Sequence, residues 1–168
     1  MIVHESGHVM GALLSGGNVS RVVLHPLAIS RTDVWPNPHP LVEVWAGPVL
    51  GVLLPLVIYS VVQFTKCPEV YLVRFFAGFC LVANGMYLLV GTLKRIGDPS
   101  ELLDHGAPAW QMIFFGLLTV PLGFYLWHRL GIYFGLGKTQ GRVSSRAAYA
   151  SLGIFVFVVT TEILCSIR

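Results

Sequence analysis

An all-α polytopic membrane fold is what this sequence predicts, and three observations predict it. Hydrophobic residues fill 55% of the 168 positions and charged residues only 11%, against about 25% charged in an ordinary soluble domain. Four apolar stretches reach the roughly 20 residues that a bilayer-crossing helix needs, at about Val44–Phe64, Tyr71–Leu93, Trp110–Leu130 and Ala147–Ile167. Trp45, Trp110, Trp127 and Tyr149 stand near their ends, where rings with a polar tip favour the membrane interface. So few charges cannot cover a water-facing surface, which excludes an ordinary cytosolic enzyme and a disordered tail. The net charge of +3 comes from scattered rather than clustered Lys and Arg, so no nucleic-acid partner is expected and the lipid bilayer is.

Taken in order, the chain opens on a shorter apolar stretch, Met1 to Ser15, interrupted by His4 and Glu5. It lacks the basic start of a signal peptide. Gly16 to Glu43 holds a β-prone run, Val19 to Ser30, then Trp35-Pro-Asn-Pro-His-Pro40. The alternate prolines exclude helix and favour an extended path. A small membrane-surface hairpin turning at His25-Pro26 fits this segment. The first long span carries Gly47 and Gly51, a GxxxG spacing that suits close helix packing. Lys94 and Arg95 close the second span, and Gly97-Asp98-Pro99-Ser100-Glu101 leads a short helical run. Asp at the cap, Pro in the first turn and Glu three residues on is a helix-start pattern. After the third span, Arg129 to Arg146 is glycine-rich and basic, and the last span holds Glu162 beside two threonines. Cys67, Cys80 and Cys165 form no CxxC pair, so neither a disulfide framework nor a thiolate metal site is expected. With every apolar stretch crossing, Arg21, Arg31, Lys94, Arg95 and Arg168 on one side balance Lys66, Arg129, Lys138, Arg142 and Arg146 on the other. The basic-residue rule therefore assigns no orientation.

The informative residues are His4-Glu5-Ser6-Gly7-His8. On a helix, positions i and i+4 share a face, so two imidazoles can bind one Zn²⁺. An adjacent carboxylate can then take a proton from a metal-activated water. By composition such a pattern arises by chance in roughly one such chain in a hundred or fewer. Its lipid setting sharpens it, because each ionisable residue inside a bilayer costs about 2.5–3.5 kcal/mol or more. Gly7, Gly11 and Ser15 form a small-residue ladder on the same helix, which lets a neighbouring backbone approach closely.

His4-Glu-Ser-Gly-His8, the β-prone loop, Ala46-Gly47-Pro48 opening a span, and Gly97-Asp98-Pro-Ser-Glu after a later helix together resemble the site-2 protease family of intramembrane zinc metalloproteases. The resemblance covers most of the chain and is nearest to the compact bacterial-type branch. It implies one membrane-embedded metalloprotease-like domain over residues 1–168, in the cell membrane of a bacterium. It also implies a Zn²⁺ cofactor held by His4, His8 and Asp98, Glu5 as general base, and membrane-tethered protein substrates. Asp104, with His105 beside it, is the alternative third ligand. The chain departs from the family's other branch, in which an Asn precedes an Asp-Gly by a few residues. Here Asn84 lies fourteen residues before Asp98, and it is read as a polar hydrogen-bonding residue between helices. His25, His39 and His128 are read as loop or interface residues.

Two expectations concern position. Asp98 follows Lys94 and Arg95, so either Gly97-Asp98-Pro99 folds back toward the metal or the metal lies shallow. Only three residues precede His4, so a native protein extending further upstream is expected. Two other functions fit the same residues. One is an inactive homologue that binds transmembrane segments as a scaffold; the other is a small metal-binding transporter.

Overall fold

In a computed structural model, residues 1–25, 27, 29–136 and 144–166 are described. Pro26 of the expected turn, Lys138 and Arg142 of the basic loop, and residues 167–168 lie outside them. The elements in chain order are α1 (Ile2–Leu14), β1 (Val19–Val23), β2 (Arg31–Val34), α2 (Pro40–Val62), α3 (Val70–Lys94), α4 (Asp98–Asp104), α5 (Ala109–Trp127) and α6 (Ser145–Ser166), with a 3₁₀ turn at Leu130–Phe134. Four of the helices, α2, α3, α5 and α6, are long and apolar enough to cross a membrane. With its 13 residues, α1 is about 20 Å long and too short to cross a hydrocarbon core of about 30 Å.

Most bounds lie within one or two residues of the sequence reading, and three larger differences each have a local reason. Pro40 sits in the first turn of α2, where its missing N–H would have no helical partner anyway, so the first span starts before Val44. The third span stops at Trp127, because Arg129 takes a left-handed conformation (φ 62°) and breaks the helix before Leu130. The second strand, Arg31–Val34, lies beyond the β-prone run; it pairs antiparallel with β1, with Val22 opposite Thr32 and Val23 opposite Arg31. The prolines extend this ladder rather than end it. Asn18 N–H donates to Pro36 O at 3.0 Å, and Trp35 N–H donates to Asn18 O at 2.8 Å.

The helix α3 is central. Its Gly78 and Gly85 meet Gly123 and Gly116 of α5 at backbone contact, the close crossing that small residues permit in lipid. The next buried layers are Val52, Ala77, Leu81 and Leu126, then Val44, Leu88, Leu102, Ala107 and Met112. Leu102 brings α4 into the second of these layers, and Pro99 packs on Gly91 of α3. Ala147 joins α6 to Tyr71 and Leu130, while most of its other side chains face outward.

Candidate metal centre

The two histidines lie one turn apart on α1 and are held by different neighbours. His4 Nδ1 donates to Asn84 Oδ1 at 2.8 Å, and the Asn84 amide in turn donates to Cys80 O at 2.8 Å. His8 Nδ1 donates to the Glu43 carbonyl at 3.2 Å and lies 3.0 Å from Glu43 Oε1. Both Nδ1 atoms therefore carry their protons toward acceptors, which turns both Nε2 atoms toward one point.

Asp98 reaches that point from the other side. Its Oδ2 lies 2.9 Å from His4 Nε2 and 3.2 Å from His8 Nε2, and the two Nε2 atoms are 3.1 Å apart. A tetrahedral ion with bonds of about 2.0–2.1 Å keeps its neighbouring ligands about 3.3 Å apart. The near-equilateral trio of two imidazole nitrogens and a carboxylate oxygen fits that donor set and size. His4, His8 and Asp98 form the one group of this kind among the described residues. Burial opposes charge on His8, but Asp98 and Glu43 outweigh it and push its pKa up to about 10. Burial likewise opposes charge on Asp98, yet His4 and His8 hold its carboxyl well below the usual range.

A reversal of the chain delivers Asp98. Arg95 (φ 53°) and Gly97 (φ 61°) turn the backbone so that α4 folds back on α3. At Gly97 a side chain would collide with the Tyr87 hydroxyl, so this position needs glycine for its space as well as its φ. Asp98 N–H donates to that hydroxyl at 2.9 Å. Asp98 thus reaches the histidines by folding back. His4 meets Asn84, ten residues or about 15 Å along α3 from Lys94. Asp98 is the first residue of α4, with Gly97 as the cap residue and no side-chain capping bond. The helix does start here, but the capping role read for Asp98 is corrected: Gly97 is the cap residue, and the Asp98 carboxylate faces the histidines.

The other sequence candidates lie elsewhere. Asp104 is exposed at the end of α4, and His105 Nδ1 bonds Glu101 O at 2.8 Å, so neither joins the trio. His25 bonds the Leu27 N–H, His39 precedes α2 and His128 follows α5. Glu162 is buried on α6, outside the trio. Asn84 does bond between helices, but to a histidine of the trio. The Gly47–Gly51 spacing also has a sharper use than helix packing. A Cβ at Gly47 would collide with the His8 ring, and one at Gly51 would sit 2.7 Å from Asn84 Oδ1. Gly7 and Gly11 lie against Ala46, Gly47 and Glu43, so the α1 ladder brings α2 close as expected.

Glu5 is 3% exposed and lines, with the trio, a cavity of about 600 Å³. Thr32 Oγ1 donates to Glu5 Oε2 at 2.8 Å, which is the one hydrogen bond to that carboxylate among the described residues. The cavity runs between residues Ile29 to Asp33, which lead into and include most of β2, and the α3 stripe of Phe76, Phe79, Ala83 and Tyr87. Sequence reasoning missed Glu43, Thr32 and Tyr87. A lone carboxylate four residues into an apolar span was the available signal for Glu43; Thr32 and Tyr87 gave none. No family model, curated protein or solved structure matches the chain, so a functional reading of this membrane protein starts from the geometry of the trio.

Proposed function

We propose that the chain is an intramembrane zinc endopeptidase acting on membrane-tethered protein segments. The observation that carries this reading is the trio of His4, His8 and Asp98 with Glu5 beside it on one cavity wall. When bound there, the metal supplies a water of pKa about 7 and a Lewis acid for the scissile carbonyl. Glu5 takes the proton of the attacking water and returns it to the leaving amine. Thr32 holds Oε2 of that carboxylate, which leaves the other oxygen to carry the proton.

The strand β2 supports the choice of a peptide substrate. Among the described residues its one partner strand is β1, and its Arg31, Thr32 and Asp33 line the cavity. An extended segment can add to that edge by main-chain hydrogen bonding, which unwinds the substrate where its bond is to be cut. The apolar α3 stripe opposite suits a segment arriving from lipid.

Full-length protein in detergent or nanodiscs tests the reading with a transmembrane reporter peptide. About one Zn²⁺ per chain is expected, lost in Asp98→Ala. Glu5→Gln should keep the zinc and abolish cleavage. Zinc retained by Asp98→Ala overturns the ligand set. Cleavage retained by Glu5→Gln overturns the base, and bound zinc without any cleavage favours the transporter or scaffold.

A further inference from the structure

Glu43 is the one charged residue in the 23-residue apolar helix α2, and it is 4% exposed. A carboxylate so placed needs partners, and it has two. Oε1 pairs with His8 Nδ1 at 3.0 Å, beside the hydrogen bond that Nδ1 donates to the Glu43 carbonyl at 3.2 Å, and Oε2 accepts from Asn37 Nδ2 at 3.3 Å. Both members of the His8–Glu43 pair are buried, at 6% and 5% side-chain exposure. The backbone holds the pair in register, since Gly11 packs on the Glu43 Cα and Gly47 lies beneath the His8 ring.

We propose that Glu43 is a positioning residue for metal binding: it locks His8 with Nε2 toward the centre and supplies the second negative charge that a divalent cation requires. This inference rests on the zinc-site reading above. With both imidazoles neutral, Asp98 and Glu43 together match a charge of +2 in a site with little water to screen it. The two histidines are unequal in consequence. His4 leans on the neutral amide of Asn84 and His8 on an anion, and a carboxylate partner makes an imidazole the stronger donor. Asn37, in the loop before α2, fixes the far oxygen and so keeps the carboxylate turned toward His8.

Competition with a chromophoric zinc chelator, on the full chain in detergent, measures this directly. Glu43→Gln keeps size and an acceptor but removes the charge, and should weaken zinc binding about tenfold. Glu43→Ala removes the whole side chain, leaving His8 only the backbone carbonyl, and should weaken binding further, toward a hundredfold. With Co²⁺ in place of zinc, the visible bands should shift in Glu43→Gln, a change that a merely structural role would not produce. Asn37→Ala frees the far oxygen while leaving Glu43 in place. It should weaken zinc binding by less than Glu43→Gln, and it serves as the readout should either Glu43 variant fail to fold. Affinity in both Glu43→Gln and Asn37→Ala within twofold of the parent, with unchanged cobalt bands, overturns the proposal and spares the zinc site. A parent protein that takes up no zinc overturns both.

Discussion

Two glycines of α2 act as seats for polar side chains: the His8 ring lies over Gly47, and the Asn84 amide over Gly51. A methyl group at either position must push its occupant away, and overpacking of this kind costs about 1–3 kcal/mol. On the zinc reading, Gly47→Ala displaces a ligand and Gly51→Ala only its support. Zinc content and melting temperature should therefore separate them: both variants melt lower, and Gly47→Ala loses more metal. Equal zinc retention in the two would show that the seats are not what fixes the histidine. The charges of the trio set a second expectation. With a pKa pushed up to about 10, His8 is protonated in the metal-free protein at neutral pH and must lose that proton to bind a metal. Calorimetry at pH 7–8 in buffers of different ionisation enthalpy should find about one proton released per zinc; none released would contradict it. In the metal-free protein the sign runs both ways. The contribution of His8 is complete below its unfolded value of 6.5 and fades as pH rises through about 10. That of Asp98, whose pKa is depressed, is present above 3.8 and is lost as pH falls below it.

The hairpin and α4 are the elements that turn a packed bundle into a site. Strand β2 touches α1 through Thr32 and Glu5, so a segment bound along β2 would share its strand with the residue that orients the base. Replacing that hydroxyl by a methyl in Thr32→Val should lower the turnover of a reporter peptide about tenfold, the size expected for one hydrogen bond to a charged group. Zinc content should stay at the parent level; turnover unchanged would detach β2 from the chemistry. These same elements mark where legibility ends. The spacing of His4 and His8 puts them on one helix face whatever the tertiary fold, so that pair could be read directly. Asp98 could be read only by resemblance, since its local pattern is that of the helix start it indeed forms, and only the turn at Arg95 and Gly97 brings its carboxylate to the histidines. Glu43 and Thr32 depend on how α2 and β2 pack against α1. Nothing in their immediate neighbours encodes that contact.

Across the whole molecule, the spans were legible because lipid requires about 20 apolar residues wherever a helix crosses. Their ends moved by a few residues, where Pro40 or Arg129 set a local boundary. The order of the spans also fixes which loops share a side. The connection between α2 and α3 holds the exposed Cys67, and α4 with Asp104 lies past the far end of α3. In sealed vesicles, a membrane-impermeant maleimide should label Cys67 from one side and a cysteine placed by Asp104→Cys from the other. Labelling of both from a single side would mean that α3 does not cross. The fold-back of α4 also bears on how the protein is made. The trio draws its first two members from α1 and its third from beyond α3, so a growing chain holds no complete centre until α2 and α3 have both been made. A ribosome-bound intermediate that ends within α3 carries His4, Glu5 and His8 but lacks Asp98. On the proposed reading, the peptidase stays silent until Asp98 has been made and folded back onto the histidines.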